Sequence, residues 1–343
     1  MFDHPDFDGH EEIVFVNDTE SGLRAIIAVH STVLGPAGGG IRMFPYPDAA
    51  AAVTDVLRLS RAMTYKMAMA GVPFGGGKSV IIGDPRTDKS PARLEAFGAA
   101  VENLGGRYVC GEDVGTTPAD MEIIHRTTRY VTGLPGRTGD TSPTTGATVF
   151  HAMRAGARAA FGDPDLAGRT VAVQGVGNVG RHLCGHLHEA GAEIICADVD
   201  PAAVAEVVDR FGATAVDPGE ILGVQADVLA PCAMGGAITA EVASALRVGL
   251  VCGGANNQLA TPEVDRLLAD RGIVYVPDYL ANVGGVLSGT SLVLGLDDEG
   301  LRDRAEGVFD TVSEVLRRSA STGVAPGATA DEMARAVLDA ARG

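Results

Sequence analysis

Apolar positions along this chain follow two rhythms. Near the start, EEIVFVND and LRAIIAVHS are short runs rich in Val and Ile, joined by the polar stretch DTESG, and they predict two strands with a turn between them. An Ala-rich stretch without Gly or Pro predicts a long helix from about Asp48 to Ala70. Ser79 to Ile82 predicts a short strand stopped by Gly83-Asp84-Pro85, Pro91 to Leu104 a second helix, and RYVCGEDVG a strand ending in a polar loop. Residues 133–146, GLPGRTGDTSPTTG, have the composition of a linker. After a helix over about 146–161 the pattern becomes regular: TVAVQG, a helix to Ala190, AEIICAD, a helix over 201–210, ADVLAPC, a helix near 239–246, LVCGGA, a helix near 262–270, and IVYVPD. Such alternation implies a parallel sheet with right-handed crossovers. Residues 299–341 read as an acidic helical tail.

Composition narrows the classes. The chain has 343 residues, room for two domains, and is 46% apolar and 21% charged, which excludes a disordered chain. A formal net charge of −17 would repel a phosphate backbone, so no nucleic-acid partner is expected. Five cysteines without C-x-x-C spacing argue against a disulfide framework and a structural zinc site. The acidic start MFDHPDFDGHEE is unlike a signal peptide, and no apolar run is long enough to span a membrane. The expectation is a soluble cytoplasmic protein with no membrane partner.

The strand TVAVQ runs into Gly175-Val176-Gly177-Asn178-Val179-Gly180 and then a helix, and the next strand ends in Asp198. Glycines between a buried strand and a helix let a pyrophosphate approach the helix N-terminus, and a carboxylate at the next strand end accepts hydrogen bonds from the adenosine ribose. A carboxylate there repels a 2′-phosphate, so NAD is expected rather than NADP.

The basic residues add a second site. Of 27, only Lys66, Lys78 and Lys89 are lysine, and two of these bracket a glycine-rich stretch in RAMTYKMAMAGVPFGGGKSVIIGDP. GGGKS is not a phosphate loop: Val72 stands where the first glycine is required, and here a helix precedes and a strand follows. Oxidation of an amino acid by NAD asks for a cation and backbone N–H groups to hold the α-carboxylate, a group to carry protons, and an ammonium beside the carbinolamine oxygen. Two ammonium groups close together repel, which suits one of them to give up a proton.

HSTVLGPAGGGIRM, MTYKMAMAGVPFGGGKSVI, GEDVGTTPADM, GVGNVG, APCAMGG, GGANNQLA and PDYLANVGG occur in an order that resembles the glutamate/leucine/phenylalanine/valine dehydrogenase family over about residues 30–285. The resemblance implies an α/β chain with an N-terminal substrate and oligomerisation domain (1–135), a Rossmann NAD-binding domain (140–320), a cleft between them, and a C-terminal helix (321–343) packed back on the first. It implies that Lys66, with Met63 and the backbone of Gly39 and Gly40, binds the substrate carboxylate, that Lys78 is the catalytic lysine, and that Asp113 shuttles protons. Asn256 would bond near substrate and nicotinamide. Thr145, Asn282, Cys232, Ala233 and Ala255 would join the glycine turn in holding the cofactor. Gly38, Gly111 and Val286 would line the side-chain pocket. Glutamate enzymes resemble this pattern but carry a lysine where this chain has Gly38, which argues against an acidic substrate. Phenylalanine, leucine and valine are all consistent, and the space left by Gly38 leans toward an aromatic one. The products would be a 2-oxo acid and ammonia, and the assembly a homo-oligomer. The alternative is an NAD-binding regulatory relative without activity.

Neighbouring residues in an extended segment face opposite ways, so only one of Glu112 and Asp113 can serve the site. The pair His182/His186 has zinc-ligand spacing but no third ligand, so no metal is expected. Cys232 has no activating His nearby in sequence and reads as a small residue lining the cofactor crevice.

Overall fold

The computed structural model describes residues 1–134 and 140–343; residues 135–139, within the expected linker, lie outside the described residues. The chain divides into two compact units, Met1–Gly139 with Ala334–Gly343, and Asp140–Met333.

In the first unit, β1 (Glu12–Asp18), β2 (Leu23–Ser31), β3 (Ala37–Phe44), β4 (Gly75–Ile82) and β5 (Tyr108–Glu112) form a mixed sheet in the order β1-β2-β4-β3-β5. β2 is antiparallel to β1 and β4, whereas β3 is parallel to β4 and β5. Strand alternation sorts the residues of β2 between two cores. Ile26 and Ala28 pack with Ala52, Val53, Val56 and Leu57 of helix α1 (Ala49–Ala70), and Val80 of β4 joins them. Ala25, Ile27 and Val29 pack on the other face with Leu94, Phe97 and Val101 of α2 (Pro91–Glu102) and Met121 and Ile124 of α3 (Pro118–His125). Each fully buried Val, Leu or Ile contributes about 1.5–3 kcal/mol to this packing. The Asp48 side chain caps α1 by accepting from the Ala51 N–H, and Gly71, at φ 61°, ends it in the left-handed region.

Two strands depart from the expectation. β4 starts at Gly75 rather than Ser79, and β3, with its three glycines, was not anticipated. Glycine is depleted in strands unless another backbone comes close. Here it does: a Cβ on Gly39 would stand 1.8 Å from Gly77 O, and one on Gly76 would stand 2.0 Å from Thr64 N of α1.

In the second unit, α4 (Ser142–Phe161) leads into β6 (Thr170–Gln174), α5 (Asn178–Glu189), β7 (Glu193–Ala197), α6 (Pro201–Phe211), β8 (Thr214–Ala215), β9 (Val228–Pro231), α7 (Ala240–Ala245), β10 (Leu250–Val251), α8 (Glu263–Asp270) and β11 (Val274–Tyr275). All strand pairs are parallel and the order is β11-β10-β9-β6-β7-β8, the doubly wound Rossmann arrangement with β6 and β9 at the switch point. α9 (Asp278–Ala281), α10 (Gly284–Leu294), α11 (Asp298–Glu306), α12 (Val308–Thr322) and α13 (Pro326–Arg342) complete the chain. α4 starts earlier than about residue 146, so the end of the expected linker is helix; Pro143 in its first turn is preorganised for that start.

Candidate active site

In the first unit the site grows from the sheet face under α1. Lys78 and Val80 share that face because they are two residues apart on β4. Lys78 is 6% exposed, and its Nζ lies 2.9 Å from Asp113 Oδ2. Asp113 follows directly on β5, and Arg42 Nε donates to the same oxygen at 3.2 Å. Burial alone would raise the Asp113 pKa, but Lys78 and then Arg42 hold it below the usual carboxylate range. Glu112 is exposed, so of the two neighbours it is Asp113 that meets the lysine. Gly40 makes this possible: a Cβ there would come within 2.7 Å of Asp113 Cβ and 3.2 Å of Lys78 Nζ.

Gly38 lies on the same face of β3, two residues before Gly40. Its missing side chain does not leave open space. Met67 Cε stands 3.1 Å, and Phe74 Cδ1 3.7 Å, from where its Cβ would be. Lys66 and Met63 are half-buried on α1, beside Met67 and Thr64. The β3–β4 register pairs Gly38 with Gly76 and resumes only at Ile41 with Ser79, so pairing to β4 lapses at Gly39 and Gly40. Tyr108 donates its hydroxyl to Gly39 O at 2.9 Å, from inside the opposite core. Gly111, paired with Gly40, has Thr132 Oγ1 2.9 Å from its would-be Cβ.

In the second unit the glycine turn joins β6 to α5 at the C-terminal edge of the sheet. Gly175 has φ 91°, and a Cβ there would also strike Ala233, at 2.7 Å from its Cβ. Gly177 is the N-cap of α5 and offers no side-chain cap, which leaves the first-turn N–H groups, from Asn178 and Val179 onward, available to an anionic acceptor. Nothing stands within 4 Å of a Cβ on Gly177, whereas one on Gly180 would lie 2.0 Å from Gly175 O. Asp198 Oδ2 accepts from Val176 N at 2.8 Å, and Oδ1 accepts from Asp200 N at 2.9 Å, which sets the carboxylate beside the turn. Open space over the middle glycine, a bare helix N-terminus and a carboxylate at the neighbouring strand end fit a dinucleotide pyrophosphate and its ribose.

Around this turn, Cys232 Sγ accepts from Gly254 N at 3.3 Å, and burial pushes the thiol up to about 11, so it is a poor nucleophile at neutral pH. Ala255 N donates to Pro231 O. The buried Asn282 donates through Nδ2 to Asn256 Oδ1 at 2.7 Å and Gly254 O at 3.2 Å. Thr145 is buried with its hydroxyl bonded to Thr141 O at 2.9 Å, and a Cβ on Gly284 would lie 2.5 Å from its Cα, so α4 and the start of α10 touch there. Val286 is half-buried on α10. His186 stacks on Phe150 with centroids 5.4 Å apart.

Arg42, Asp55, Tyr46, Met67 and Phe74 were not anticipated. The signal for Arg42 was present: it stands two residues after Gly40, on the same face once β3 is known to be a strand.

Comparison with known proteins gives one answer. Residues 10–130 match the sequence profile of the Glu/Leu/Phe/Val dehydrogenase dimerisation domain, and residues 136–206 and 199–294 match that of glutamate/leucine/phenylalanine/valine dehydrogenase. The chain is 46% identical to leucine dehydrogenase of Bacillus cereus over 337 residues, covering 97% of this chain and 92% of that one. It is 47% identical to valine dehydrogenase of Streptomyces virginiae over 347 residues, covering 99% and 96%. The crystal structure of L-tryptophan dehydrogenase from Nostoc punctiforme superposes with a TM-score of 0.86 at 38% identity, covering 98% and 97%. The chain thus belongs to the glutamate/leucine/phenylalanine/valine dehydrogenase family: it is an amino acid dehydrogenase, an oxidoreductase that deaminates its small-molecule substrate oxidatively with a nicotinamide cofactor.

Proposed function

We propose that the enzyme converts an apolar, branched-chain L-amino acid, leucine or valine, to its 2-oxo acid and ammonia with NAD, and runs the reverse reductive amination. The observation that carries this reading is the pairing of buried Lys78 with half-buried Asp113 under Gly40. Lys66, with Met63 beside it and the backbone at Gly39 and Gly40, holds the α-carboxylate, consistent with the lapse in strand pairing there. Asp113, anionic beside two cations, takes a proton from the substrate ammonium. Lys78, once its own proton has passed to solvent, takes one from the attacking water and then stabilises the carbinolamine oxygen as an ammonium. Asp113 returns its proton to the nitrogen, and the hydroxyl proton passes to solvent as the C–N bond breaks and ammonia leaves. A nicotinamide bound there would supply the hydride acceptor for the substrate α-carbon. Gly175, Val176, Gly177, Asn178, Val179 and Gly180 would hold its pyrophosphate, and Cys232, Ala233 and Ala255 would wall the crevice. Thr145, Asn256 and Asn282 would hold the nicotinamide end.

Asp198 favours NAD because its carboxylate repels a 2′-phosphate. Gly38 brings no cation for an acidic side chain, and Met67 and Phe74 fill the space beside it, which favours an aliphatic side chain over an aromatic one. Gly111, paired with Gly40, lines the same side. In this reading residues 1–135 with the end of the C-terminal helix form the substrate and oligomerisation domain of a homo-oligomer, and residues 140–320 the NAD domain. The five free cysteines suit a reducing cytoplasm.

The test is NADH formation by the purified protein at alkaline pH on leucine, valine, phenylalanine, tryptophan and glutamate, with NADP in parallel. Leucine or valine with NAD is the expected best pair; preference for glutamate or for NADP overturns the assignment.

A further inference from the structure

The charges on the α1 face of the first sheet do not stop at the Lys78–Asp113 pair. Arg42 Nε donates to Asp113 Oδ2 at 3.2 Å, and its Nη1 donates to Asp55 Oδ1 at 3.3 Å and Oδ2 at 3.1 Å. The Tyr46 hydroxyl donates to Asp55 Oδ2 at 2.5 Å. Lysine, aspartate, arginine and aspartate follow one another from β4, the end of β5, β3 and α1, with alternating sign. Lys78 and Arg42 meet at one Asp113 oxygen, Oδ2.

Stability does not require such a chain. Part-buried charges lose much of their attraction to desolvation, and packed apolar side chains hold strands together as well or better. Arg42, at 20% exposed, instead spans two carboxylates with its planar fork, which a lysine could not do. Tyr46 keeps its proton, because burial and the neighbouring Asp55 push its hydroxyl up, and it stays a donor that anchors Asp55.

We propose that Arg42, itself held by Asp55 and Tyr46, is a positioning residue of the deamination: it fixes the orientation and the negative charge of Asp113, so that this carboxylate meets the substrate ammonium ionised. The inference rests on Asp113 as the proton carrier of the reaction proposed above. Arg42 acts through Asp113 and touches no reacting atom. The charged groups that face Asp113 are Lys78 from β4 and Arg42 from β3; Asp55 from α1, which also carries Lys66, and the neutral Tyr46 act through Arg42, the neutral Tyr108 lies in the opposite core, and Glu112 is exposed.

The sign of the effect follows. Arg42 favours ionised Asp113, so its removal raises the pH at which Asp113 can accept a proton. In Arg42→Gln the acid limb of the kcat/KM–pH profile for leucine therefore moves alkaline, by about one pH unit. The loss is largest at low pH and shrinks as pH rises. In Asp55→Asn the counter-charge to Arg42 is gone, and the limb moves by a smaller amount in the acid direction. Arg42→Lys keeps the charge and loses the fork, so its limb stays near wild type while kcat falls several-fold. NAD affinity, read by fluorescence titration, is unchanged in all three and reports that they are folded. A limb that stays put in both Arg42→Gln and Asp55→Asn, a loss uniform across pH, or shifts of the same sign overturns the proposal. If Arg42→Gln does not fold, the acid shift of Asp55→Asn and the kcat loss of Arg42→Lys decide it. A wild type that turns over no amino acid overturns the proposed function itself, a result distinct from any of these.

Discussion

The Lys78–Asp113 region and the glycine turn after β6 are both rich in glycine, yet they use it for opposite reasons. In β3 and β4 no glycine of the two Gly-Gly-Gly runs has a positive φ; a side chain there would meet neighbouring backbone, the reacting groups or, at Gly38 and Gly77, the side chains of Met67 and Tyr108. In the turn, Gly175 has a positive φ that other residues rarely adopt, and Gly177 clears the space in front of a helix N-terminus. The first region delivers side chains at fixed positions inside a sheet. The second delivers backbone N–H groups, with one carboxylate for selectivity. Chemistry that rests on one amine has no substitute when it is removed, whereas binding spread over several amides degrades by degrees.

That contrast orders the expected effects. Lys78→Ala should lower kcat by about 10³-fold or more while NAD affinity stays at wild type. Near-normal turnover in that variant, measured by NADH absorbance, would break the comparison outright. Gly40→Ala should come next: its methyl would push Asp113 and Lys78 apart, and kcat should drop by about 10²-fold with the KM for NAD unmoved. Equal losses in kcat and in NAD binding would show that the two regions are not separable in this way. Asp198→Ala should weaken NAD about tenfold, the worth of one or two hydrogen bonds, and narrow the preference over NADP with little change in kcat at saturation. Unchanged affinity by titration would mean that the ribose lies elsewhere. The smallest change should come from Met67→Ala, which empties the space beside Gly38 and should raise the phenylalanine-to-leucine ratio of kcat/KM several-fold.

The two regions also differ in how readily they could be read from the residues. The alternation of the second unit was legible because buried parallel strands are continuous apolar runs and the helices between them carry their own period, and its glycine turn came with its context. β3 and the start of β4 were not legible as strands, because their residues are poor strand formers in isolation and become strands only when α1 and Gly77 crowd them. The site was affected in the same way. Lysines are so scarce here that Lys66 and Lys78 stand out, and Asp113 lies in a recognisable motif. Arg42 shares a face with Gly40 only if the segment is extended, so it was missed along with β3. Nor could the sequence say that Met67 and Phe74 would fill the gap at Gly38, since that depends on how a helix settles on a sheet.

The placement of Met67 has a practical side. The reacting amine is anchored in a strand hydrogen-bonded on both sides, whereas the side chain that limits room beside Gly38 sits on a helix and ends in a flexible thioether. An engineer, or natural drift, can therefore re-tailor substrate range by single changes on one turn of α1 while the proton-handling machinery keeps its geometry.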